Sequence, residues 1–227
     1  MDHLREVVLD TETTGLDPGS GHRVVEIGCV ELINHLPTGR TFQVYLNPDR
    51  AMPSDAFAVH GLSDDFLSRQ KRFVEIADDF VSFVGDSAVV AHNAAFDMGF
   101  INTEFALAKR SAFEPSKVID TVRLARRKFP GAQASLDALC RRFGINLSER
   151  TKHGALLDAE LLAEVYLELI GGRQPGLTLS AKTGVQVETD VEKAGKVWPP
   201  RPHTPSAEEL AAHKVFVATL RNPIWRR

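Results

Sequence analysis

Val7, Val8 and Leu9 form an apolar run that leads directly into Asp10 and Glu12, in the stretch VVLDTETTGL. Such a run belongs in a buried strand, and side chains two residues apart on a strand share a face. Both carboxylates are therefore expected side by side at the end of a core strand, with no basic residue beside them. Like charges so arranged repel one another. Any fold adopted by this chain has to bring a cation to them.

Two more β-like stretches follow, at about 24–33 (VVEIGCVELI) and 40–46 (RTFQVYL). The connection LDPGSGHR and the turn PTGR suggest antiparallel neighbours. The pattern then changes. A helical stretch near 73–84 precedes the short apolar strand AVVAH (88–92), and FDMGFINTEFALAKR places Phe96, Phe100 and Phe105 at helical spacing. VIDTVRLARRKF reads as a strand edge entering a helix, SLDALCRRFGI as a short helix closed by Gly144, and LLDAELLAEVYLELIGG as a long one ended by Gly171 and Gly172. Hairpins first and strand–helix alternation afterwards predict an α/β domain with a mixed sheet.

Composition narrows the function classes. The 227 residues are 43% hydrophobic and 25% charged, as in a globular protein. No apolar run approaches the ~20 residues needed to cross a bilayer, and the charged start MDHLREVVLD is not that of a secretory signal. Cys29 and Cys140 are expected as buried thiols in a cytoplasmic protein. Residues 1–170 carry 18 Lys/Arg against 25 Asp/Glu, whereas 171–227 carry 9 against 5, within a net charge of −3. That balance argues against a large nucleic-acid footprint, and leaves room for an enzyme that holds a few nucleotides through local cations.

Two further acids stand out as candidates to join Asp10 and Glu12. Asp97 falls in the first turn of a helix, where the helix dipole favours an acid, and Asp158 lies near the start of the last long helix. Glu26 and Asp120 are rivals, although Asp120 also reads as a helix N-cap and Glu26 as a sheet-face polar group. His153 precedes Asp158 by five residues, about 500° of helical rotation, so it belongs on the loop beside Gly154. An imidazole there either serves as a proton acceptor next to the carboxylate or is an ordinary loop histidine. The residues alone leave both open.

Three stretches in order, LDTETTGL with VVEIG, AHNAAFDMGFI, and HGALLDAELLAEVY, resemble the motifs of the DEDD exonucleases, histidine-containing branch. The likeness covers residues 5–172, takes in VHGLSDDFL and FPGAQASLDALCRRFGI, and is nearest to exonucleases that proofread for bacterial replicative polymerases. It implies an RNase H-like fold with a mixed β-sheet flanked by helices. It also implies that Asp10, Glu12, Asp97 and Asp158 hold two divalent ions, Mg²⁺ or Mn²⁺, with His153 as general base. Asp10 would be shared between the ions, Glu12 and Asp158 would complete one site, and Asp97 would help hold the other. By the same likeness Thr13, Thr14, Asp55, His60, His92, Asn93 and Phe96 line the place of the terminal nucleotide, with Asp10, Glu12 and Asp158 beside it. The expected reaction is stepwise release of nucleoside 5′-monophosphates from a frayed, single-stranded 3′ end of DNA, which reaches the site without melting a base pair. The run Arg123, Arg126, Arg127 and Lys128 reads either as steering for a phosphate backbone or as a solvated helix face.

Beyond Gly172 the chain becomes rich in Ser, Thr, Lys, Gly and Pro, so 173–205 reads as a flexible linker. Within it, Gln174, Leu177 and Leu179 (174–179, QPGLTL) resemble a sliding-clamp-binding motif. Residues 206–227 are expected as a docking helix, with a capping box at Ser206 and Glu209 and Leu210, Val217, Leu220 and Ile224 along one stripe. The resemblance makes the polymerase catalytic subunit its partner, allows a small accessory subunit on domain 1–172, and places the protein in the cytoplasm at the replisome. Two alternatives remain: an RNA-trimming exonuclease of the same superfamily, and a non-catalytic adaptor on the same fold.

Overall fold

Val7, Val8 and Leu9 are consecutive along the first strand and point to both of its faces, which demands helices on each side of the sheet. The computed structural model describes residues 4–148, 150, 152–172 and 204–220, in two units, Met1–Thr178 and Leu179–Arg227. In the first unit β1 (Arg5–Thr13), β2 (Val24–Ile33) and β3 (Leu36–Tyr45) form an antiparallel meander. β4 (Ala88–Ala91) and β5 (Val118–Asp120) join β1 in parallel. The order β3-β2-β1-β4-β5 makes a mixed five-stranded sheet.

Six helices pack around it or cross its rim: α1 (Ser54–His60), α2 (Asp64–Leu67), α3 (Phe73–Val84), α4 (Ala94–Leu107), α5 (Thr121–Lys128) and α6 (Leu136–Phe143). A seventh, α7 (Ala155–Ile170), is the longest. Val7 and Leu9 share a core with Phe73, Phe80, Phe100 and Phe105 of α3 and α4. Val8 shares the opposite core with Ala125, Leu139 and Leu162 of α5, α6 and α7. Strand alternation then puts Asp10 and Glu12 on the Val8 face, under α7.

Gly28 fixes how closely α7 can come. It is the register partner of Asp10, and a Cβ built on it would lie 2.2 Å from Ala155 C and Leu156 N. The helix start therefore rests on bare backbone beside the two acids. Farther along α7, the Tyr166 hydroxyl donates to Glu6 Oε1 at 2.6 Å, fixing the helix along β1.

Several expectations shift. β1 continues to Thr13, so the acids lie within a paired strand and not at its end. The hairpin between β2 and β3 turns at Asn34 and His35, with φ of 50° and 67°, while PTGR lies inside β3. Two successive left-handed residues give the twist that a tight hairpin needs, and Asn34 Oδ1 accepts from Leu4 N. The short helices α1 and α2 were not anticipated; neither is long enough to show a period. Asp120 is the N-cap of α5, accepting from Val122 N, and both cysteines are buried free thiols.

In the second unit, α8 (Ala207–Thr219) starts with the expected capping box of Ser206 and Glu209. Leu210 and Val217, seven residues apart, share a face of this helix, Val215 and Phe216 point elsewhere, and Leu220 lies past its end. Gln174, Leu177, Leu179 and Ile224 lie outside the described residues. Among the described residues no helix is long and apolar enough to cross a membrane.

Candidate active site

Four segments converge past the C-terminal end of β4, beside the last residues of β1. β1 brings Asp10 and Glu12, the start of α4 brings Asp97, the loop before α7 brings His153, and the first turn of α7 brings Asp158. All five line one cleft of about 370 Å³, together with His92, Asn93, Phe96, Asp137 and Arg150. Ligand atoms of Glu12, His153 and Asp158 lie within 4.8 Å of one another.

Three of the four acids are buried, Glu12 at 8% exposed, Asp97 at 2% and Asp158 at 3%, and Asp10 is half-buried. Asp10 has its pKa raised well above the usual carboxylate range, first by burial, then by repulsion from Asp97, Asp158 and Glu12. Burial, with the charges of Asp158 and Glu26, pushes Glu12 up to about 8. Asp97 rises to about 7 through burial, although the Thr11 hydroxyl, donating to its Oδ1 at 2.7 Å, opposes the shift. Carboxyls this crowded ionise together only when positive charge enters.

One cation is already among them, and sequence reasoning missed it. Arg150 donates through Nε to Asp158 Oδ1 at 2.6 Å and through Nη2 to Oδ2 at 2.7 Å. Its Nη1 donates to Asp137, and its Nη2 lies 2.8 Å from His153 Nδ1. The same Nδ1 is 3.1 Å from Asp158 Oδ2. These neighbours demand opposite tautomers. Arg150 can only donate, so it needs a bare Nδ1; Asp158 can only accept, so it needs Nδ1–H.

The residues expected around a terminal nucleotide divide between two spaces. Thr13, Thr14, Asp55, His60 and Phe96 line a larger, mainly apolar pocket of about 740 Å³, which His153 and Glu12 join to the acid cleft. His92 and Asn93 are absent from that pocket's lining and border the cleft on another side. Thr14 is fully buried; its hydroxyl contacts His22 Nδ1 and accepts from Arg23 N, so it braces the loop. Thr13 donates to the Gly15 carbonyl. His60 Nδ1 accepts from Leu62 N at 3.0 Å, which leaves the proton on Nε2. That buried N–H makes no full hydrogen bond among the described residues and turns to the Thr13 backbone, which opposes the lowering of the His60 pKa by burial.

The donor set suits hard divalent cations, which take carboxylate oxygens and keep some waters.

A family model described as Exonuclease matches residues 7–166. DNA polymerase III subunit epsilon of Rickettsia felis is 48% identical over 230 residues, covering 97% of this chain and 98% of that protein. The subunit of the same description from Escherichia coli K12 is 44% identical over 239 residues, covering 98% and 97%. Among solved structures, exonuclease X in complex with 5′-overhanging duplex DNA matches with a TM-score of 0.56 at 26% identity, over 73% of this chain and 90% of that one. The nuclease domain of 3′hExo, a DEDDh family member bound to rAMP, matches in fold with a TM-score of 0.65 at 19% identity, over 74% and 92%.

Proposed function

This chain belongs to the exonuclease family, among the epsilon subunits of bacterial DNA polymerase III, and is a 3′→5′ exonuclease; we propose that Asp10, Glu12, Asp97, Asp158 and His153 carry its chemistry. The observation that supports this most is the convergence of these five side chains, from separate segments, on one cleft beside a nucleotide-sized pocket. In proofreading for the replicative polymerase, its substrate is a mismatched 3′ end of DNA.

Asp10, Glu12, Asp97 and Asp158 would hold two divalent ions, Mg²⁺ or Mn²⁺. When bound, such ions neutralise the carboxylates and stabilise charge on the attacking and leaving oxygens of phosphoryl transfer. The chain's own residues do the rest. His60 and Phe96 line the place of the terminal nucleotide, and Phe96 gives the base an apolar wall. With Nδ1–H held by Asp158, His153 takes the proton of the attacking water at Nε2. The gap beside His153 joins pocket and cleft, so a terminal nucleoside in the pocket sets its 5′-phosphodiester among the acids. Only an unpaired end can enter, which makes fraying the basis of selection.

Residues 1–172 would be the catalytic domain, 173–205 a linker presenting Gln174, Leu177 and Leu179 to the sliding clamp, and 206–227 the anchor on the polymerase catalytic subunit. Tethering keeps the exonuclease at a high effective concentration near the primer end. A small accessory subunit is a further candidate partner, and the bacterial replisome in the cytoplasm is the place of action.

The test is a comparison of primer ends. The full chain with Mg²⁺ should shorten a 3′-mismatched DNA primer faster than a paired one, and Asp10→Ala or Asp158→Ala should abolish this while the circular dichroism spectrum is kept. Equal rates on both ends, or faster trimming of short RNA, would refute proofreading; activity retained in either variant would refute the site.

A further inference from the structure

On the side of the cleft away from the nucleotide pocket, a groove of about 500 Å³ begins at His92, Asn93 and Ser135 and continues between α5 and the segment before α6. Two arginines of α5, Arg123 and Arg126, line it. Being three residues apart, they point from one helix face with Cβ atoms ~5–6 Å apart. Eight of the thirteen arginines in residues 1–172 hold a carboxylate, Arg5, Arg23 and Arg150 among them. Among the described residues, Arg123 and Arg126 have no ion pair or hydrogen bond from their guanidinium groups. Lys128, on the same helix, is taken up by the carbonyls of Glu168 and Leu169. Asp120 is the one acid of the groove lining, and its Oδ1 caps α5 by accepting from Val122 N.

We propose that this groove carries the strand upstream of the scissile bond, with Arg123 and Arg126 on its phosphates. The proposal rests on the exonuclease reading of the cleft. If the terminal nucleoside fills the pocket at His60 and the bond to be cut lies among the acids, the chain must leave on the remaining open side, which begins at His92 and Asn93. A polyanion leaving a carboxylate cluster needs positive charge at once, and two unpaired guanidinium groups stand there. Phosphate contacts of this type carry no base preference, as suits an enzyme that accepts any 3′ end. The four-residue basic run is thereby divided: Arg123 and Arg126 face the groove, Arg127 is not in its lining, and Lys128 fastens α5 to the end of α7.

The experiment compares the full chain with the double variant Arg123→Gln/Arg126→Gln on two substrates. One is a single-stranded DNA 12-mer, which fills the groove. The other is the p-nitrophenyl ester of thymidine 5′-monophosphate, which has no upstream strand. For the 12-mer, KM should rise roughly tenfold, about threefold per exposed contact, with kcat unchanged. The log–log salt slope of 12-mer binding, read by fluorescence anisotropy, should shrink by about 1.4, or ~0.7 per phosphate. The ester should be cleaved at the parent rate, and the Arg123→Lys/Arg126→Lys variant should restore most of the salt slope. An unchanged 12-mer KM and slope, or an equal loss on both substrates, would overturn the proposal. Failure of the exonuclease reading itself shows differently, as absence of hydrolysis of either substrate by the parent chain, and the anisotropy slope then still decides the groove.

Discussion

Replacing Arg150 by Gln separates two roles for a cation within the acid cleft. The Arg150 side chain is 10% exposed and the Asp158 side chain 4%, and they are joined by two charge-assisted bonds. Removing one member of a buried pair leaves the other charge uncompensated, at about 3–5 kcal/mol. The cleft is open to water, so the lower end, ~3 kcal/mol, applies. A domain of this size loses ~2–4 °C of Tm per kcal/mol, which predicts a drop of roughly 6–12 °C for Arg150→Gln in EDTA. With excess Mg²⁺ the divalent cation supplies the missing charge, and the variant should melt within ~3 °C of the parent. Calorimetric titration should also show tighter Mg²⁺ binding, because cation and guanidinium compete for both oxygens of Asp158. Circular dichroism melts with and without Mg²⁺ give the first comparison. Equal destabilisation in both buffers, or weaker metal binding by the variant, would refute the reasoning; Arg150 would then build the metal site instead of standing in for its charge.

Metal-free protein should become less stable as pH rises from about 5 to 8. Glu12 and Asp97, with pKa values raised to about 8 and about 7, hold protons in the folded state that the unfolded chain has already released, so stability falls with pH across that window. Tm measured against pH in EDTA checks this, Mg²⁺ should flatten the curve, and a Tm that rises over the window would contradict the sign. Gly28→Ala should push the start of α7 off the sheet, since its Cβ would lie 2.2 Å from backbone atoms of Ala155 and Leu156. The expected outcome is a loss of at least ~1–3 kcal/mol from overpacking together with loss of exonuclease activity, as Asp158 moves with its helix; wild-type melting and turnover would show that the close approach is not needed.

How far the site could be read in advance follows from the range of the forces that make it. The strand signal at Val7–Leu9, the helix stops at Gly144 and Gly171 and the N-cap at Asp120 are local, and local patterns mark them. The place of His153 before α7 follows from a rotation count, and the pairing of Asp10 with Glu12 from strand alternation. Arg150 was invisible because nothing in its neighbourhood distinguishes it from Arg141 or Arg142, which lie near the same acid, Asp137, in sequence. Only the tertiary fold brings it to Asp158 and His153. Gly28 was likewise an unremarked residue in a strand until α7 lay across it. Both belong to one arrangement: a bare strand position lets the helix descend, the descent buries Asp158 beside Asp10, and the buried charge then requires a cation. The acids could be found in the sequence because their chemistry is a matter of residue type, whereas the groups that make their crowding tolerable are defined by distance alone.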